Sequence, residues 1–413
     1  YPEGLTWHAP IVKKPLYHLL DHAIKKYPGN DLCDFQGKAF TYKEIGANVN
    51  KIAEGLQKMG VKKGIKVGLF LANSPYSIMF FFGILKTGAT VVNYNPLYVE
   101  HELTNQIENS ETDIMVTLDL KFLTDKLEKM LHHTRLKKVI VCKMADILPF
   151  PQNLLYPLLK HKDISRTGKN KRYISFQRLT DNTGEPFSVN VDAEKDIAVL
   201  QYTGGTTGIP KAAMLSHGNL YANVQQVVYW VEGIEQGHDV MIGVVPYFHV
   251  FAMTVAMNAA IWSGMKIILH PKFVLQDILD SIKKFRPTYF PGVPAIFNAI
   301  ATAPHVQDID FSSLKFCMSG GAPLPGEVRR LFEEKTGCHQ IGEGYGLTET
   351  SPVVTFNPSH GKIKNGSVGM PIPGTIIEIV DRDDGVTLLK VGEKGEVCVR
   401  GPQVMLGYFN KPE

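Results

Sequence analysis

One segment of the chain has the composition of a phosphate-binding loop. Residues 202–211 read YTGGTTGIPK, which places three glycines and three threonines ahead of Lys211. Glycines let backbone N–H groups turn inward as an anion nest, threonines add hydroxyl donors or metal ligands, and the lysine adds a mobile positive charge. The segment differs from a Walker A loop, because Lys211 follows Pro210 rather than Gly and precedes Ala212 rather than Ser or Thr. It therefore predicts a phosphate-binding loop of another kind.

The residues on either side of this loop predict strands. Residues 212–215 form a strand-like run, and a helix cap follows only at Ser216, ahead of about a dozen helix-compatible residues. We therefore expect the loop to join two strands. The alternative is a flexible Gly/Thr hairpin without a ligand, but such a hairpin gives no reason for Pro-Lys to close six Gly or Thr residues.

Four further motifs follow along the chain. They read PYFHV at 246–250, SGGAPL at 319–324, EGYGLTET at 343–350 and GEVCVRGP at 395–402. Together with the loop and the LSHGNL that follows it, they resemble the signature of the AMP-forming acyl- and aryl-CoA synthetases, relatives of luciferase and of peptide-synthetase adenylation domains. The last motif continues as QVMLGY and looks like the fatty-acyl branch. The resemblance spans nearly the whole chain.

The resemblance implies a reaction and a set of catalytic residues. In this family a carboxylate attacks the α-phosphorus of ATP and pyrophosphate leaves, so catalysis is mostly positioning and charge stabilisation. Thr203 and Glu349 are implied to hold Mg²⁺, a hard ion that suits oxygen ligands. Thr348 is implied to reach the α-phosphate, and Lys211 with the loop to follow the β- and γ-phosphates. Lys211, His249, Thr348 and Glu349 are thus the implied catalytic residues.

The resemblance also implies where the nucleotide lies. Tyr345 would stack on adenine, while the SGGAPL segment lines the other side of the purine, where lack of bulk lets a flat ring enter. The implied nucleotide-binding set is Thr203, Gly204, Gly205, Thr206, Thr207, Gly208, Lys211, Gly320, Gly321, Ala322, Pro323, Gly344, Tyr345, Gly346, Leu347 and Thr348.

The acyl substrate is assigned to the PYFHV region. His249 stands in an otherwise apolar stretch, and the resemblance places it at the entrance of the acyl pocket, where it would orient the acyl carboxylate. Val250, Phe251, Met253 and Gly344 are expected to line or gate an apolar tunnel beside it. Ordinary core packing is the alternative for each of these residues.

The elements that must position these residues alternate between helix and strand. A Thr41 cap with Glu44 three residues on predicts a capping-box helix. The alternation predicts βαβ units and parallel sheets, so the expected fold class is α/β with two doubly wound α/β subdomains plus a small β-barrel-like subdomain. We divide the chain into residues 1–190, 191–350 and 351–413. The predicted strands are 66–71, 90–92, 113–117, 138–141, 197–200, 239–244, 266–269, 288–290, 376–380 and 396–400.

Composition excludes several classes of protein. The 413 residues are 44% hydrophobic and 20% charged, as in an ordinary globular chain, and the longest apolar run, 78–85, is too short to cross a bilayer. A net charge of +4 without aromatic-basic repeats gives no sign of a nucleic-acid partner. Five scattered cysteines suit a reducing compartment, so we expect a cytoplasmic protein.

One segment suggests contact with a membrane. Residues 148–159 are mostly apolar, and residues 160–178 carry seven Lys or Arg against one Asp. Such a pair of segments could rest on an anionic membrane surface or gather a fatty substrate. The alternative is an ordinary covering loop with a solvated basic edge.

The sequence thus predicts an acyl-CoA synthetase that uses ATP, Mg²⁺ and CoA, with a medium- to long-chain fatty acid as the favoured acid. The alternatives are an aryl-acid, coumarate-like CoA ligase and a nucleotide-binding regulatory module without turnover. Family members continue to an acidic ribose-binding residue and a C-terminal lid with a catalytic lysine; none of these precedes Glu413, so we expect the lid to lie outside this chain. The oligomeric state stays open, with a homodimer among the alternatives.

Overall fold

The computed structural model describes residues 1, 4–165, 170–203, 210–359, 363–364 and 366–411. These residues form eighteen strands, and most lie in two large sheets. The strands are β1 Asp31–Phe35, β2 Lys38–Thr41, β3 Lys66–Phe70, β4 Thr90–Asn93, β5 Thr112–Leu118, β6 Lys138–Cys142, β7 Tyr173–Ser175, β8 Ile197–Thr203, β9 Lys211–Ser216, β10 Val240–Gly243, β11 Lys266–Leu269, β12 Tyr289–Gly292, β13 Phe316–Ser319, β14 Ile341–Gly346, β15 Val353–Phe356, β16 Met370–Pro371, β17 Ile376–Val380 and β18 Glu396–Arg400.

Helices connect most of the parallel strands. The α-helices are α1 His18–Lys26, α2 Tyr42–Lys58, α3 Pro75–Lys86, α4 Glu100–Ser110, α5 Lys121–His133, α6 Gln152–Leu159, α7 Phe176–Leu179, α8 His217–Trp230, α9 Ala259–Trp262, α10 Leu275–Phe285, α11 Pro294–Ala301 and α12 Gly326–Thr336. A π-helical segment, Ala252–Asn258, precedes α9, and short 3₁₀ turns lie at Met144–Ile147, Val306–Asp308 and Thr348–Thr350.

The first sheet has seven strands in the order β7-β6-β5-β3-β4-β8-β9. Its neighbours run parallel except β8 and β9, which form an antiparallel pair. Short apolar runs flanked by polar or glycine residues predict five of these strands, β3 to β6 and β8. The parallel order with intervening helices confirms the predicted doubly wound α/β class for this part of the chain.

The second sheet has nine strands in the order β16-β15-β14-β13-β12-β10-β11-β1-β2. Its central strands, from β14 to β1, run parallel, and antiparallel strands close both edges. The division at residue 190 does not coincide with the sheets, because β1 and β2 join the second sheet while β8 and β9 join the first. Long-range pairing, such as Cys33 beside Ile267, decides this membership, and no local pattern records it.

The last part of the chain forms an antiparallel hairpin. β17 and β18 pair from Ile376 opposite Arg400 to Val380 opposite Glu396, with the bounds that alternating residues had predicted. Within the described residues this hairpin does not close into a barrel, since β15 and β16 extend the nine-stranded sheet instead. The expected barrel-like subdomain is therefore a two-stranded sheet here.

Local signals explain how several helices begin. Thr41 caps α2 in a capping box with Glu44, and Ser216 caps α8 in the same way with Asn219. The apolar run at 78–85 lies in α3, and eleven of the twelve residues of that helix are buried. Among the described residues, no helix has both the length and the apolar character needed for a membrane span.

Candidate active site

The strands beside the Gly/Thr-rich loop bring its two ends together. β8 and β9 form an antiparallel pair in which Thr203 lies opposite Lys211. The prediction that the loop joins two strands is confirmed, because α8 begins only after β9, at His217. The predicted phosphate-binding residues Gly204, Gly205, Thr206, Thr207 and Gly208 lie outside the described residues.

Two predicted catalytic residues, Glu349 and Lys211, both lie next to Tyr408. The Tyr408 hydroxyl donates a hydrogen bond of 2.6 Å to Glu349 Oε1, and Lys211 Nζ lies 5.1 Å from the centroid of the Tyr408 ring. Burial and the adjacent Glu349 carboxylate raise the pKa of Tyr408 to about 12, so its hydroxyl stays protonated near neutral pH. The tyrosine therefore donates to the carboxylate while its ring lies beside the lysine ammonium.

Backbone pairing fixes the position of this tyrosine. The segment around Tyr408 runs along β9: Phe409 N donates to Ala212 O at 2.8 Å, and Met214 N donates to Gly407 O at 2.9 Å. On the other side, Met405 N donates to the backbone oxygen of Glu349 at 2.8 Å. The QVMLGY continuation thus ties the base of the loop to the EGYGLTET motif.

A cavity of about 440 Å³ lies beside this cluster. It is formed where parallel strands of both sheets end, the usual position of ligands in such sheets. The lining residues are Asn93, Asn95, Tyr98, Gln201, Tyr202, Val245, Phe248, His249, Val250, Phe251, Val293, Gly320, Gly321, Gly344, Tyr345, Gly346, Leu347, Thr348, Pro352, Val353 and Phe356. The motifs at 246–250, 319–324 and 343–350 therefore contribute to one site.

His249 faces this cavity from the turn that follows β10. Its backbone N–H donates to Pro246 O at 3.0 Å, and its ring lies 4.6 Å from the Phe248 ring, centroid to centroid. The side chain stays accessible because its surface opens into the cavity. Desolvation by the surrounding walls lowers its pKa from the ordinary 6.5, which favours a neutral imidazole at neutral pH.

Two polar residues that the motifs do not contain position this turn. Gln201 Nε2 donates to Phe248 O at 2.7 Å, and Gln201 Oε1 accepts from Asn93 Nδ2 at 3.0 Å. Both side chains are almost completely buried and line the cavity floor. Sequence reasoning missed them because each is a single polar residue that directly follows an apolar run, at 90–92 and at 197–200.

Met253 lies elsewhere than expected. It belongs to the π-helical segment, all seven residues of which are buried, and it does not line the cavity. Its sulfur lies 3.5 Å from Asn93 Nδ2, on the core side of the cavity wall. All sides of the segment Ala252–Asn258 are buried, so its sequence pattern could not indicate which side faces the cavity. Val250 and Phe251, from the start of the same helix, do line it.

The small residues of the SGGAPL motif form one wall. Gly320 and Gly321 line the cavity, whereas Ala322 and Pro323 lie exposed beside it. A Cβ at Gly320 would lie 3.1 Å from the Phe251 ring, so the ring would have to shift to admit a side chain there. The turn is held from below by Glu343, whose Oε1 accepts from Leu324 N at 3.1 Å.

The glycines of the EGYGLTET motif have a packing explanation of their own. Gly344 lies opposite Phe356 on β15, and a Cβ on Gly344 would overlap that ring. A Cβ on Gly346 would overlap the backbone oxygen of Pro352. These contacts let β15 approach β14 closely, while Tyr345, between the two glycines, lines the cavity.

The fold and this cavity define an α/β protein with two large sheets and a ligand-sized cavity at the ends of their strands. The chain belongs to the AMP-binding enzyme family, whose sequence profile matches residues 20–409. It is 40% identical to a long-chain-fatty-acid–CoA ligase of Bacillus subtilis over 419 aligned positions, which cover 100% of this chain and 74% of that relative. A ligase of the same name from Salmonella typhimurium is 33% identical, covering 96% of this chain and 71% of the relative.

A solved structure agrees with this assignment. The crystal structure of a long-chain-fatty-acid-CoA ligase from Archaeoglobus fulgidus superposes with a TM-score of 0.83 at 25% identity. The match covers 98% of this chain and 78% of that chain. The family assignment thus rests on sequence and on fold together.

Proposed function

We propose that this protein activates a fatty acid with ATP, releasing pyrophosphate and forming an acyl-adenylate, and then transfers the acyl group to CoA with release of AMP. The observation that carries the proposal is one cavity that joins an apolar region to a polar one. His249, Val250 and Phe251 line it together with Tyr345 and Thr348. An alkyl chain and a nucleotide could therefore meet at a single point in this cavity.

The acyl group is assigned to the His249 side. A neutral imidazole can donate a hydrogen bond to the acyl carboxylate, which is the nucleophile, without forming an ion pair that would lower its reactivity. The lowered pKa of His249 favours the neutral form. Val245, Val250 and Phe251 supply apolar surface for an alkyl chain. Gln201 and Asn93 are assigned to keep the turn that carries His249 in position.

The nucleotide is assigned to the Tyr345 side. Gly320 and Gly321 leave space for a flat purine ring, and Tyr345 supplies an aromatic face. Thr348 and Lys211 are assigned to the phosphates, with Thr348 at the inner phosphate and Lys211 at the outer ones. The ammonium of Lys211 suits charge that develops on departing pyrophosphate.

Thr203 and Glu349 fit Mg²⁺ in their donor chemistry. They offer a hydroxyl and a carboxylate oxygen, and Mg²⁺ commonly takes one or two protein oxygens and completes its shell with water and substrate phosphates. The described residues hold no cluster of three or more His, Cys, Asp or Glu side chains that would form an all-protein metal cage. A Mg²⁺ bound there would neutralise charge on the triphosphate.

Other parts of the proposal concern the surroundings of the enzyme. We infer a cytoplasmic protein that needs no nucleic acid, with CoA entering as a co-substrate. The division of the chain into residues 1–190, 191–350 and 351–413 also belongs to this proposal as an order of parts along the chain, since both large sheets take strands from more than one part. A homodimer belongs to the proposal as well.

ATP–pyrophosphate exchange tests the adenylation step. The intact protein should catalyse exchange that depends on added fatty acid and requires no CoA. His249→Ala should lose most of this exchange, while the matched variant His305→Ala, which changes an exposed histidine far from the cavity, should keep it. Exchange without any added acid would contradict the proposed activation of a fatty acid. Equal exchange by both variants would contradict the assigned role of His249.

A further inference from the structure

Helix α6 presents an unusual surface for a short helix. None of its eight residues is buried, although most are apolar. Leu158 and Leu159 are 71% and 75% exposed, and Leu154 and Leu155, one turn earlier, are exposed as well. Residues four apart lie on the same side of a helix, so these four leucines form one apolar face. We call this face, together with the exposed Phe150, the α6 patch.

The α6 patch is held in place by the opposite side of its segment. Tyr156 packs against the hydrophobic core, and the following turn is tied to α5, where Lys121 N donates to Asp163 O at 2.7 Å. Leu120 and Ile164 form a β-bridge at the same point. The leucines are therefore presented on an anchored helix.

Positive charge borders the patch. Lys160 and Lys162 follow the last leucine directly, and Lys171 lies in the next described segment, all three exposed. Two exposed carboxylates lie on this part of the chain: Asp163, 3.8 Å from Lys160, and Asp146 on the turn that packs against α6. An apolar face beside lysines matches the two layers of an anionic bilayer surface, with acyl chains for the leucines and phosphate headgroups for the ammonium groups.

We propose that the α6 patch docks the protein on an anionic lipid bilayer. Eight residues are too few to span a membrane, so the helix lies in the interface. The charge beside the leucines favours lipid over a protein partner, because a protein groove for a helix would cover the apolar face without needing a cationic border.

Docking through the α6 patch would also bring the cavity close to the bilayer, a step that rests on the proposed function. Lys126 of α5 donates from Nζ to Tyr98 O at 2.7 Å, and Tyr98 lines the cavity. Phe122 of α5 and Leu97, next to Tyr98 in the chain, are both exposed and apolar. Lys121 and Lys126 are five positions apart, about 7.5 Å along a helix at 1.5 Å per residue. A docked patch would thus bring the cavity close to lipid, from which a fatty acid could enter.

Vesicle flotation of the intact protein tests the docking. Vesicles of phosphatidylglycerol mixed with phosphatidylcholine are compared with vesicles of phosphatidylcholine alone, at low and high salt. We expect binding to the anionic vesicles that falls as salt rises. L158D/L159D should lower the partition coefficient by about tenfold or more, and K160Q/K162Q by about thirtyfold. The matched controls V391D and K394Q, at exposed positions on the β17–β18 hairpin, should bind like the wild type.

Two further measurements separate docking from folding and from self-association. Pyrophosphate release with a water-soluble acid should stay at the wild-type rate in L158D/L159D, which shows that the variant folds. Gel filtration should show the same oligomeric state for both proteins. The proposal would be overturned if L158D/L159D bound vesicles like the wild type, or if the wild type did not bind anionic vesicles. It would also be overturned if the wild type were a dimer and the variant were not, because a second copy would then cover the patch. Normal docking with no pyrophosphate release by any variant would contradict the proposed function alone.

Discussion

Removal of one hydroxyl at Tyr408 should weaken the ATP step without unfolding the protein. Tyr408→Phe keeps the ring that lies 5.1 Å from Lys211 Nζ and removes only the hydrogen bond of 2.6 Å to Glu349. The carboxylate then loses the donor that fixes its orientation. Glu349 is the proposed magnesium ligand, so the variant should need more Mg²⁺ for half-maximal activity.

The geometry sets the size of this effect. A hydrogen bond to a charged group contributes about 1.5–3 kcal/mol, and each 1.36 kcal/mol changes a rate by about tenfold. Tyr408 is only half-buried, so water replaces part of the lost bond. We therefore expect kcat/KM for ATP to fall by about tenfold, at the lower end of that range.

Steady-state pyrophosphate release, measured across Mg²⁺ and ATP concentrations, gives the answer. The matched control is Tyr229→Phe, which removes a hydroxyl that lies 3.4 Å from Pro10 O and should leave the kinetics unchanged. The reasoning is refuted if Tyr408→Phe keeps both its kcat/KM for ATP and its Mg²⁺ requirement. A change in the KM for the acid alone would refute it equally, because Tyr408 does not line the cavity.

Three other substitutions test separate parts of the site and core. Lys211→Ala should weaken ATP by about tenfold to a hundredfold and AMP much less, because the ammonium is assigned to the outer phosphates; equal losses in calorimetry would contradict that assignment. Gly344→Ala should lower the free energy of unfolding by about 1–3 kcal/mol through overlap with Phe356. The double variant Gly344→Ala/Phe356→Leu should recover part of the lost urea midpoint, and an unchanged midpoint in Gly344→Ala alone would exclude the overlap. Burial lowers the pKa of His217 to about 4, and its Nδ1 accepts from Leu16 N at 3.0 Å. The folded protein therefore binds a proton at His217 less readily than the unfolded chain, so its free energy of unfolding should fall by about 3 kcal/mol in total as pH drops from 6.5 towards 4. His217→Gln should lack this fall when urea unfolding is measured across pH, and a pH profile identical to that of the wild type would contradict the prediction.

Local chemistry made parts of this structure predictable. The loop at 202–211 could be placed between two strands because Ser216, the first helix cap, comes only after the apolar run. The β17–β18 hairpin kept its predicted bounds because its alternating residues end at turn residues on both sides. Motif spacing also identified most of the residues from 246 to 251 and from 343 to 348 that line the cavity.

Other features depend on contacts between distant parts of the chain. Tyr408 and Glu349 are 59 positions apart, and only the pairing of residues 405–409 with β9 and with Glu349 brings them together. Asn93 ends β4, and Gln201 lies in β8, which becomes its neighbour in the sheet, so their hydrogen bond exists only in the folded state. The burial of Met253 follows from packing around a helix that is apolar on all sides.

A panel of carboxylic acids tests the central claim most directly. The intact protein is given ATP, Mg²⁺, CoA and one acid at a time, from acetate through long-chain fatty acids to aromatic acids, and pyrophosphate and acyl-CoA are both measured. We predict equal amounts of the two products and a kcat/KM that rises with chain length, since each buried CH₂ contributes about 0.8 kcal/mol until the apolar region is filled. Aromatic acids that outcompete every fatty acid would show an aryl-acid ligase, and nucleotide binding without either product would show a regulatory module; each result would contradict the account.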